Sequence, residues 1–568
     1  MRRTSLLLAV AGIAAFIGCQ RPVDPPPAPT AAATASASRP GADAAAWRPF
    51  DLGSYQRAVT TSSPGAQRAF NQGLIWAYAF NHDEARRAFE EAVRLDPSCA
   101  MAHWGIALVN GPHINNPMVD EQHAKAAWDA LQQARAMAVA ASPAERALIE
   151  ALAARYTWPQ PADRAPLDAA YARAMAGVRE RFPDDADVAT LYAEAMMDTR
   201  PWDQWTHDGR PQPGTAEVLA ALEAAQAIAP DHPGALHLYV HALEASPHPE
   251  RAAAAADRLR ALVPDASHLI HMPSHIDARL GRWAEAAAVN ERAIAADGRY
   301  AERQQEIGFY QLYMAHNVHF LVFTAMMEGR RGAAVESARE ITQRVSVEKA
   351  RENPLFLDAF RTVEPDTYKR FGMWEEILAL PQPPPDLPVS LAFHHFARAI
   401  ALAATGKSGE ARHERSLFHA ALPKVPREAY WGSNLATAVL APAVPYLDGE
   451  IAYREEDLDL AIAKLSEAVE LEDSLKYDEP PPWTTPARHA LGAVLLEAKR
   501  PAEAEAVYRA DLTRYPLNGW SLWGLERALE AQGREADAAA VKAQFDRTWS
   551  RADTPMVSSC LCVKPRSG

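Results

Sequence analysis

The stretch 70-FNQGLIWAYAFNHDEARRAFEEAVRLDP-97 decides the fold, because it holds two helix-forming segments joined by a short polar turn. Gly73 is followed by Ala85, Phe89 and Pro97 at offsets of +12, +16 and +24. Small residues on two helices let the helices approach closely, and an aromatic ring then fills the space beside their crossing. The stretch therefore predicts an antiparallel pair of helices that ends at the proline.

A second stretch, 491-LGAVLLEAKRPAEAEAVYRADLTRYP-516, repeats this spacing near the other end of the chain. Gly492, Ala504, Tyr508 and Pro516 stand at the same offsets. This order of small, small, aromatic and proline residues resembles the tetratricopeptide repeat (TPR). The resemblance implies an all-α fold, in which antiparallel helix hairpins stack into a right-handed superhelical solenoid with no sizeable sheet.

The same frame fits the middle of the chain in two consecutive units. A turn glycine before the second helix of several units supports the phasing, as in Gly281, Gly329 and Gly406. The positions that keep the repeat offsets are Val240, Ala252, Ala256 and Pro264 in one unit, and Ser274, Ala286 and Asn290 in the next.

Length and charge limit the class of protein. The chain has 568 residues, which is too long for one hydrophobic core and suits a repeat array. Its formal net charge is −14, whereas a surface that binds nucleic acid or an anionic membrane needs a basic patch. We therefore expect a protein or peptide partner of basic or neutral character in the groove of the solenoid, and no nucleic acid.

The N-terminus has the pattern of an export signal. Residues 1–19 read MRRTSLLLAVAGIAAFIGC, with two arginines, an apolar run and a final cysteine. Cys19 after a small residue resembles the acylation site of bacterial lipoproteins, although Phe16 departs from the usual leucine. The alternatives are a plain cleaved signal and an uncleaved anchor. The lipoprotein interpretation places the protein on the periplasmic side of an envelope membrane, held only by lipid at Cys19.

Composition divides the remainder of the chain. Residues 20–46 are rich in Pro, Ala, Ser and Thr and predict a disordered tether. Residues 47–380 predict an N-terminal TPR-like array, and residues 389–557 predict a C-terminal one. The proline-rich 381-PQPPPDLP-388 stands between them, and residues 558–568 form a tail.

Two histidine pairs recur 34 residues apart, in 237-HLYVHALEAS-246 and 271-HMPSHIDARLGRW-283. Residues four apart share one helix face, so each pair points in one direction. The TPR resemblance implies that these positions line the concave groove, together with Glu244 and with His319 of the following unit. The predicted metal ligands are His237, His241, Glu244, His271, His275 and His319, and the other predicted groove residues are His268, His316 and Trp104.

Three interpretations of these histidines stay open. Neutral imidazole is a common ligand of transition metals, so the cluster could hold one ion of Zn, Cu, Fe or Ni. The histidines could instead contact a bound peptide, or have no specific role. Pro273 lies between His271 and His275, where it predicts a kinked helix or a helix that begins late.

The cysteines give a second, weaker pattern. Cys560 and Cys562 in 559-SCLCVK-564 could hold a soft ion, form a disulfide or have no role. Cys99 is left unpaired if that pair closes.

No catalytic residues can be assigned from a motif. The zinc-peptidase motif, a nucleophile elbow and a dinucleotide loop are missing from the sequence. The loop 109-VNGPHINNP-117 predicts an insertion between repeats that could overhang the groove. In 477-YDEPPPW-483, Asp478 and Glu479 are expected to be solvated or to cap a turn.

The chain resembles exported bacterial TPR proteins of mostly undefined activity. The residues that carry this resemblance are 80-FNHDEARRAFEEAVRLDPSCAMAHWG-105, 271–283, 477–483 and 518-NGWSLWGL-525. We expect a partner-binding scaffold, with metal binding in the groove as the alternative. If the protein is an enzyme, its reaction depends on a metal.

Overall fold

The computed structural model describes residues 48–304 and 307–563. The predicted signal, Cys19 and the tether, as well as Trp47 and the last five residues, lie outside these residues. The N-terminal helices are α1 (Pro64–Tyr78), α2 (His82–Leu95), α3 (Ala100–Val109), α4 (Glu121–Met137), α5 (Pro143–Ala153), α6 (Ala165–Arg181), α7 (Ala186–Asp198) and α8 (Thr215–Ile228).

The hairpin of α1 and α2 forms as the sequence predicts. The Asn81 side chain accepts a hydrogen bond from the Glu84 backbone N–H and so caps α2. A Cβ atom on Gly73 would lie 2.7 Å from the Phe89 ring, and one on Gly105 would lie 2.5 Å from it. The two glycines therefore make room for the ring between consecutive hairpins.

The middle of the chain continues the array with one interruption. Its helices are α9 (Pro233–Glu244), α10 (Ala253–Leu259), α11 (Ser267–His271), α12 (Pro273–Arg279), α13 (Trp283–Arg303), α14 (Gln311–Met327), α15 (Arg331–Arg344), α16 (Val347–Glu352), α17 (Pro354–Leu357), α18 (Val363–Arg370) and α19 (Trp374–Ala379). Pro273 is the first residue of α12 and lacks a backbone N–H, so the break between α11 and α12 falls at Met272.

The C-terminal helices follow the same pattern. They are α20 (Pro388–Ala404), α21 (Ser408–Ala421), α22 (Ala436–Leu440), α23 (Ala443–Arg454), α24 (Leu458–Asp473), α25 (Ala487–Glu497), α26 (Pro501–Arg514), α27 (Gly519–Glu530) and α28 (Glu535–Thr548). Among the described residues, the only sheet pairs β1 (Tyr430–Trp431) with β2 (Asn434–Leu435) in antiparallel register. The predicted all-α architecture is confirmed.

Two large hydrophobic cores hold the array together. One extends from Phe50 to Met314, and the other from Ala278 to Val563. The cores therefore meet around α12 to α14. The proline-rich segment 381–388 does not divide them, because Ile377 before it belongs to the same core as the helices that follow.

The C-terminal helices fold back onto the middle of the array. The indole N–H of Trp283 donates to the Pro516 carbonyl at 2.9 Å, and that of Trp520 donates to the Met326 carbonyl at 2.7 Å. This closure places residues 477–483 next to α12. In the described part of the chain, no helix combines the length and the apolar character that a membrane span requires.

Candidate metal centre

Six histidines and one glutamate meet where α9, α11, α12 and α14 lie side by side. Helix α9 packs on α12, and α11 packs on α14, which brings residues far apart in sequence together. The contributions are His237, His241 and Glu244 from α9, His268 and His271 from α11, His275 from α12, and His316 from α14. All are buried except His316, which is half-buried.

The first histidine set consists of His237, His241 and His268. One ring nitrogen from each lies within 4.8 Å of one from each of the others. The Nε2 atoms of His237 and His268 are 3.1 Å apart. His241 Nε2 and His268 Nδ1 are buried and have no hydrogen-bond partner.

The second histidine set consists of His271, His275 and His316, with the same 4.8 Å limit on the ligand atoms. The Nε2 atoms of His271 and His275 are 2.7 Å apart. The His316 ring centroid lies 4.7 Å from that of His271. Three ring nitrogens thus converge in this set as in the first.

Glu244 joins the two sets. Its Oε1 accepts a hydrogen bond from His241 Nδ1 at 2.6 Å, and its Oε2 accepts one from His275 Nδ1. Burial alone would raise the pKa of this carboxyl group, but His275 and His241 outweigh burial and lower it to about 2. Glu244 is therefore ionised and fixes the orientation of one ring in each set.

The Nδ1 atoms of two further rings also face acceptors. His237 Nδ1 donates to the Tyr78 carbonyl at 2.6 Å, and His271 Nδ1 donates to Asn290 Oδ1 at 2.7 Å. The Asn290 amide cannot turn around without cost, because its Nδ2 donates to the Ala286 carbonyl at 2.8 Å. When each of these rings is neutral, its Nε2 carries a lone pair and no proton.

Burial keeps most of the rings neutral. It lowers the pKa of His237, His268 and His271 well below the ordinary value, and the neighbouring histidines lower it further. His275 differs: burial lowers its pKa, but the Glu244 carboxylate outweighs burial and raises it. A set of neutral imidazoles is the form that binds a metal.

Two predicted site residues lie elsewhere. His319 lies on α14 three residues after His316 but belongs to neither histidine set, and its ring is 6.0 Å from that of Phe360. His316, predicted only to line the groove, takes the place expected for His319. Trp104 is 1% exposed in the N-terminal core and does not line an open groove.

Several residues of the site escaped the sequence analysis. Asn290 could have been recognised, because a polar residue stands at the repeat offset where the end repeats have the aromatic residues Phe89 and Tyr508. Glu479 could not have been recognised, because it reaches the site across the closure of the array. Its Oε2 lies 3.5 Å from His275 Nδ1, and its side chain is 6% exposed, so the expectation that it is solvated is wrong.

Asp478 fits the capping expectation better. Its Oδ2 accepts a hydrogen bond from the Ser433 backbone N–H at 2.7 Å. Burial raises the pKa of Asp478 to about 7 and that of Glu479 to about 8. Residues 477–483 therefore cover the second set with groups that burial makes hard to ionise.

The loop after α3 reaches the first set. The His113 ring stacks on Phe80 at 4.4 Å, and Phe80 lies 4.6 Å from the His237 ring. Asn115 Oδ1 accepts a hydrogen bond from the Trp202 indole N–H at 3.1 Å. Trp202 is 37% exposed and packs edge-on against His241 at 5.3 Å, so it connects the histidines with the protein surface.

The C-terminal cysteines lie in the second core and belong to neither histidine set. Cys560 and Cys562 form a disulfide, and both are buried. Cys99 is a buried free thiol.

Comparison with known proteins identifies the repeat. Residues 66–99, which include α2 and most of α1, match the tetratricopeptide repeat family. This segment is a tetratricopeptide repeat. Its phase agrees with the packing of Phe89 against Gly73 and Gly105. TPR arrays as a class present concave surfaces that bind proteins.

Solved structures with similar helical arrays are distant. The APC/C hetero-tetramer Cut9–Hcn1 is 13% identical over 87% of this chain and 76% of that chain, with a TM-score of 0.27. A human IFIT1 dimer with PPP-AAAA is 12% identical over 84% of this chain and 89% of that chain, with a TM-score of 0.31. No curated protein matches the chain in sequence.

Proposed function

We propose that this protein binds transition-metal ions on a TPR scaffold, with one ion in each histidine set. The positions of the ring protons support this proposal. His271 and His275 both direct Nδ1 at an acceptor, so their neutral rings present two lone pairs to each other at 2.7 Å. Two lone pairs at that distance repel, and a cation between them removes the repulsion.

The cation is either a proton or a metal ion, and the remaining atoms favour a metal. A proton shared by His271 and His275 leaves His316 without a role in the second set. In the first set, a proton on His268 Nε2 can bond to His237 Nε2. The buried Nδ1 atom of His268 and the buried Nε2 atom of His241 are then still without a hydrogen-bond partner. A buried polar nitrogen without a partner costs about 1–3 kcal/mol. A metal ion, unlike a shared proton, can bind all three histidines of each set.

The donor set selects the class of metal. Imidazole nitrogens suit Zn, Cu, Fe and Ni, whereas Mg, Ca and Mn prefer oxygen ligands. Three protein ligands on an ion leave a coordination position open for a small molecule. Glu244, Asn290 and the Tyr78 carbonyl hold the Nδ1 side of the rings, as the outer partners of metal-binding histidines do.

Metal counting on matched variants tests the proposal. The protein is purified without an affinity tag of histidines, reconstituted separately with each of the four metals, and analysed by elemental mass spectrometry. We expect about two equivalents of at least one metal in the parent protein and about one in His268→Ala or His316→Ala. His319→Ala is the control on the same helix and keeps both. Equal loss in His319→Ala, or no metal in the parent protein, would contradict the proposal.

Partner binding is a second function, supported by the TPR match of residues 66–99. The net charge of −14 favours a basic or neutral protein or peptide over nucleic acid. The histidines are buried, so a partner would contact other residues of the array. An array of basic peptides tests this function: saturable binding that survives His268→Ala would support it, and no binding above that of acidic peptides would contradict it.

Export and lipid anchoring at Cys19 complete the proposed function. They are supported by the pattern of residues 1–19, which lie outside the described residues. Labelling cells with a fatty-acid analogue tests the anchor. We expect label in the parent protein and none in Cys19→Ala, whereas label in neither would leave a cleaved signal or an uncleaved anchor as the correct interpretation.

A further inference from the structure

The C-terminal tail contributes to a separate group of possible metal ligands that contains no histidine. Cys560, Cys562 and Glu450 of α23 each place a ligand atom within 4.8 Å of the others. All three residues are buried, and Glu450 Oε1 has no hydrogen-bond partner. We propose that reduction of the Cys560–Cys562 disulfide creates a site for one thiophilic divalent ion, held by the two thiolates and Glu450.

The tail is held in place on both sides of the cysteines. Arg370 Nη2 donates to the Ser559 carbonyl at 2.9 Å, and the Ser559 hydroxyl donates to the His489 carbonyl at 2.8 Å. Arg454 donates to the Cys562 carbonyl. Since these contacts do not involve sulfur, breaking the disulfide leaves the two cysteines beside Glu450.

The surroundings favour the charged form of the ligands. The Lys369 ammonium lies 5.1 Å from the Tyr446 ring, and the Tyr446 hydroxyl lies 3.8 Å from both sulfur atoms. Nearby Lys and Arg groups stabilise thiolates. Two thiolates and one carboxylate carry three negative charges, which the divalent ion and Arg454 balance, while Lys369 is paired with Asp366 at 2.8 Å.

Burial outweighs the opposing charges of Arg454 and Lys369 and raises the pKa of Glu450 to about 7. A carboxylate buried without a hydrogen-bond donor on one oxygen is costly unless a cation binds there. Thiolate ligands select soft and borderline ions such as Zn²⁺ and Cd²⁺ over Mg²⁺ and Ca²⁺.

A dithiol is the reductant that opens the Cys560–Cys562 disulfide. The dithiol gives two electrons and two protons to the disulfide, so that the bond between the sulfur atoms breaks and the reductant closes its own disulfide. When the ion binds, the two cysteine thiols lose their protons to solvent and each sulfur forms a bond to the metal. The oxidised protein has no such site.

Cadmium titration of the full chain tests this site separately from the histidines. Cys19→Ser and Cys99→Ser are introduced first, so that only the tail pair can give the ultraviolet band of a thiolate bound to Cd²⁺. After reduction, confirmed by thiol counting in denaturant, we expect the band to saturate at about one equivalent. The oxidised protein should give no band.

Variants then identify the ligands. Cys562→Ser should abolish the band, and Glu450→Gln should weaken the affinity by about ten-fold or more. Glu472→Gln is the control, because Glu472 is a buried carboxylate on the neighbouring α24 and accepts a hydrogen bond from the Ala487 backbone. The proposal fails if reduced protein gives no band, if Cys562→Ser keeps it, or if the native disulfide resists reduction that the unfolded chain allows.

Discussion

The repeats at the two ends of the chain and the histidine repeat share one helical frame but fill it differently. At offset +16 the end repeats place Phe89 and Tyr508, and each ring packs against two glycines. The histidine repeat, counted from Ser274, places Asn290 there. The Asn290 amide accepts the Nδ1–H of His271 instead of filling space with a ring.

This difference shows how a buried polar cluster can be built without changing the fold. An aromatic ring at this position buries a large apolar surface and fixes the distance between hairpins. An amide is smaller and supplies a hydrogen-bond acceptor, so the space beside it can hold imidazole rings. The histidine repeat therefore exchanges apolar packing for a polar interior, and three predictions follow from that exchange.

The largest effect is expected at the ring of the N-terminal repeat. Phe89 is 0% exposed, so Phe89→Ala should lower the free energy of unfolding of this core by about 3–5 kcal/mol. Calorimetry measures the loss. Asn290→Ala, the equivalent change in the histidine repeat, should cost less because the removed group is smaller. A larger cost for Asn290→Ala would contradict the comparison.

The polar interior should also make stability depend on pH. Burial raises the pKa of Asp297 on α13 from 3.8 to about 6, although Ser267 and Asn317 oppose this effect. Asp297 Oδ2 accepts a hydrogen bond from Asn317 Nδ2 at 2.8 Å, and its Oδ1 has no partner.

Because the folded-state pKa is the higher one, the protonated carboxyl group stabilises the fold fully below pH 3.8, and this contribution is lost as the pH rises through about 6. The loss is about 2–3 kcal/mol. Asp297→Asn should therefore be more stable than the parent protein at neutral pH in denaturant unfolding. The exposed Asp231→Asn is the control and should change little. An unchanged pH profile in Asp297→Asn would show that another group is responsible.

The smallest effect is expected from the outer partner of a ligand. Asn290→Ala removes the acceptor of His271 Nδ1 and should lower metal affinity by about 10–100-fold, equal to about 1.4–2.7 kcal/mol. Competition with a chelator measures the change. Asn317→Ala, another buried amide, is the control and should keep the affinity. Equal affinities in Asn290→Ala and the parent protein would separate Asn290 from the site.

The fold could be predicted from local spacing because each hairpin depends on residues within about one repeat. Gly73 and Phe89, or Gly492 and Tyr508, meet in the structure as their offsets require. The histidines of α9, α11 and α12 could also be grouped with Glu244 from the sequence, because α12 packs on both α9 and α11.

The remainder of the site depends on geometry that spacing does not carry. His316 and His319 are both on α14, and it is His316 that joins His271 and His275 in the second set. Glu479 reaches His275 only because the C-terminal helices fold back, a contact across about two hundred residues of sequence. The burial of the histidines argues against direct peptide contact. Residues 477–483 contribute to it at the second set, and Phe80 and the loop after α3 contribute to it at the first.

The most direct test of the central claim is anomalous X-ray diffraction at the absorption edge of the metal that the reconstituted protein retains. We expect two anomalous peaks, one among His237, His241 and His268 and the other among His271, His275 and His316. Crystals of His241→Ala/His275→Ala should lose both. Helices that stay in place with no peak in either set would contradict the metal centre and leave a buried proton between His271 and His275 as the explanation.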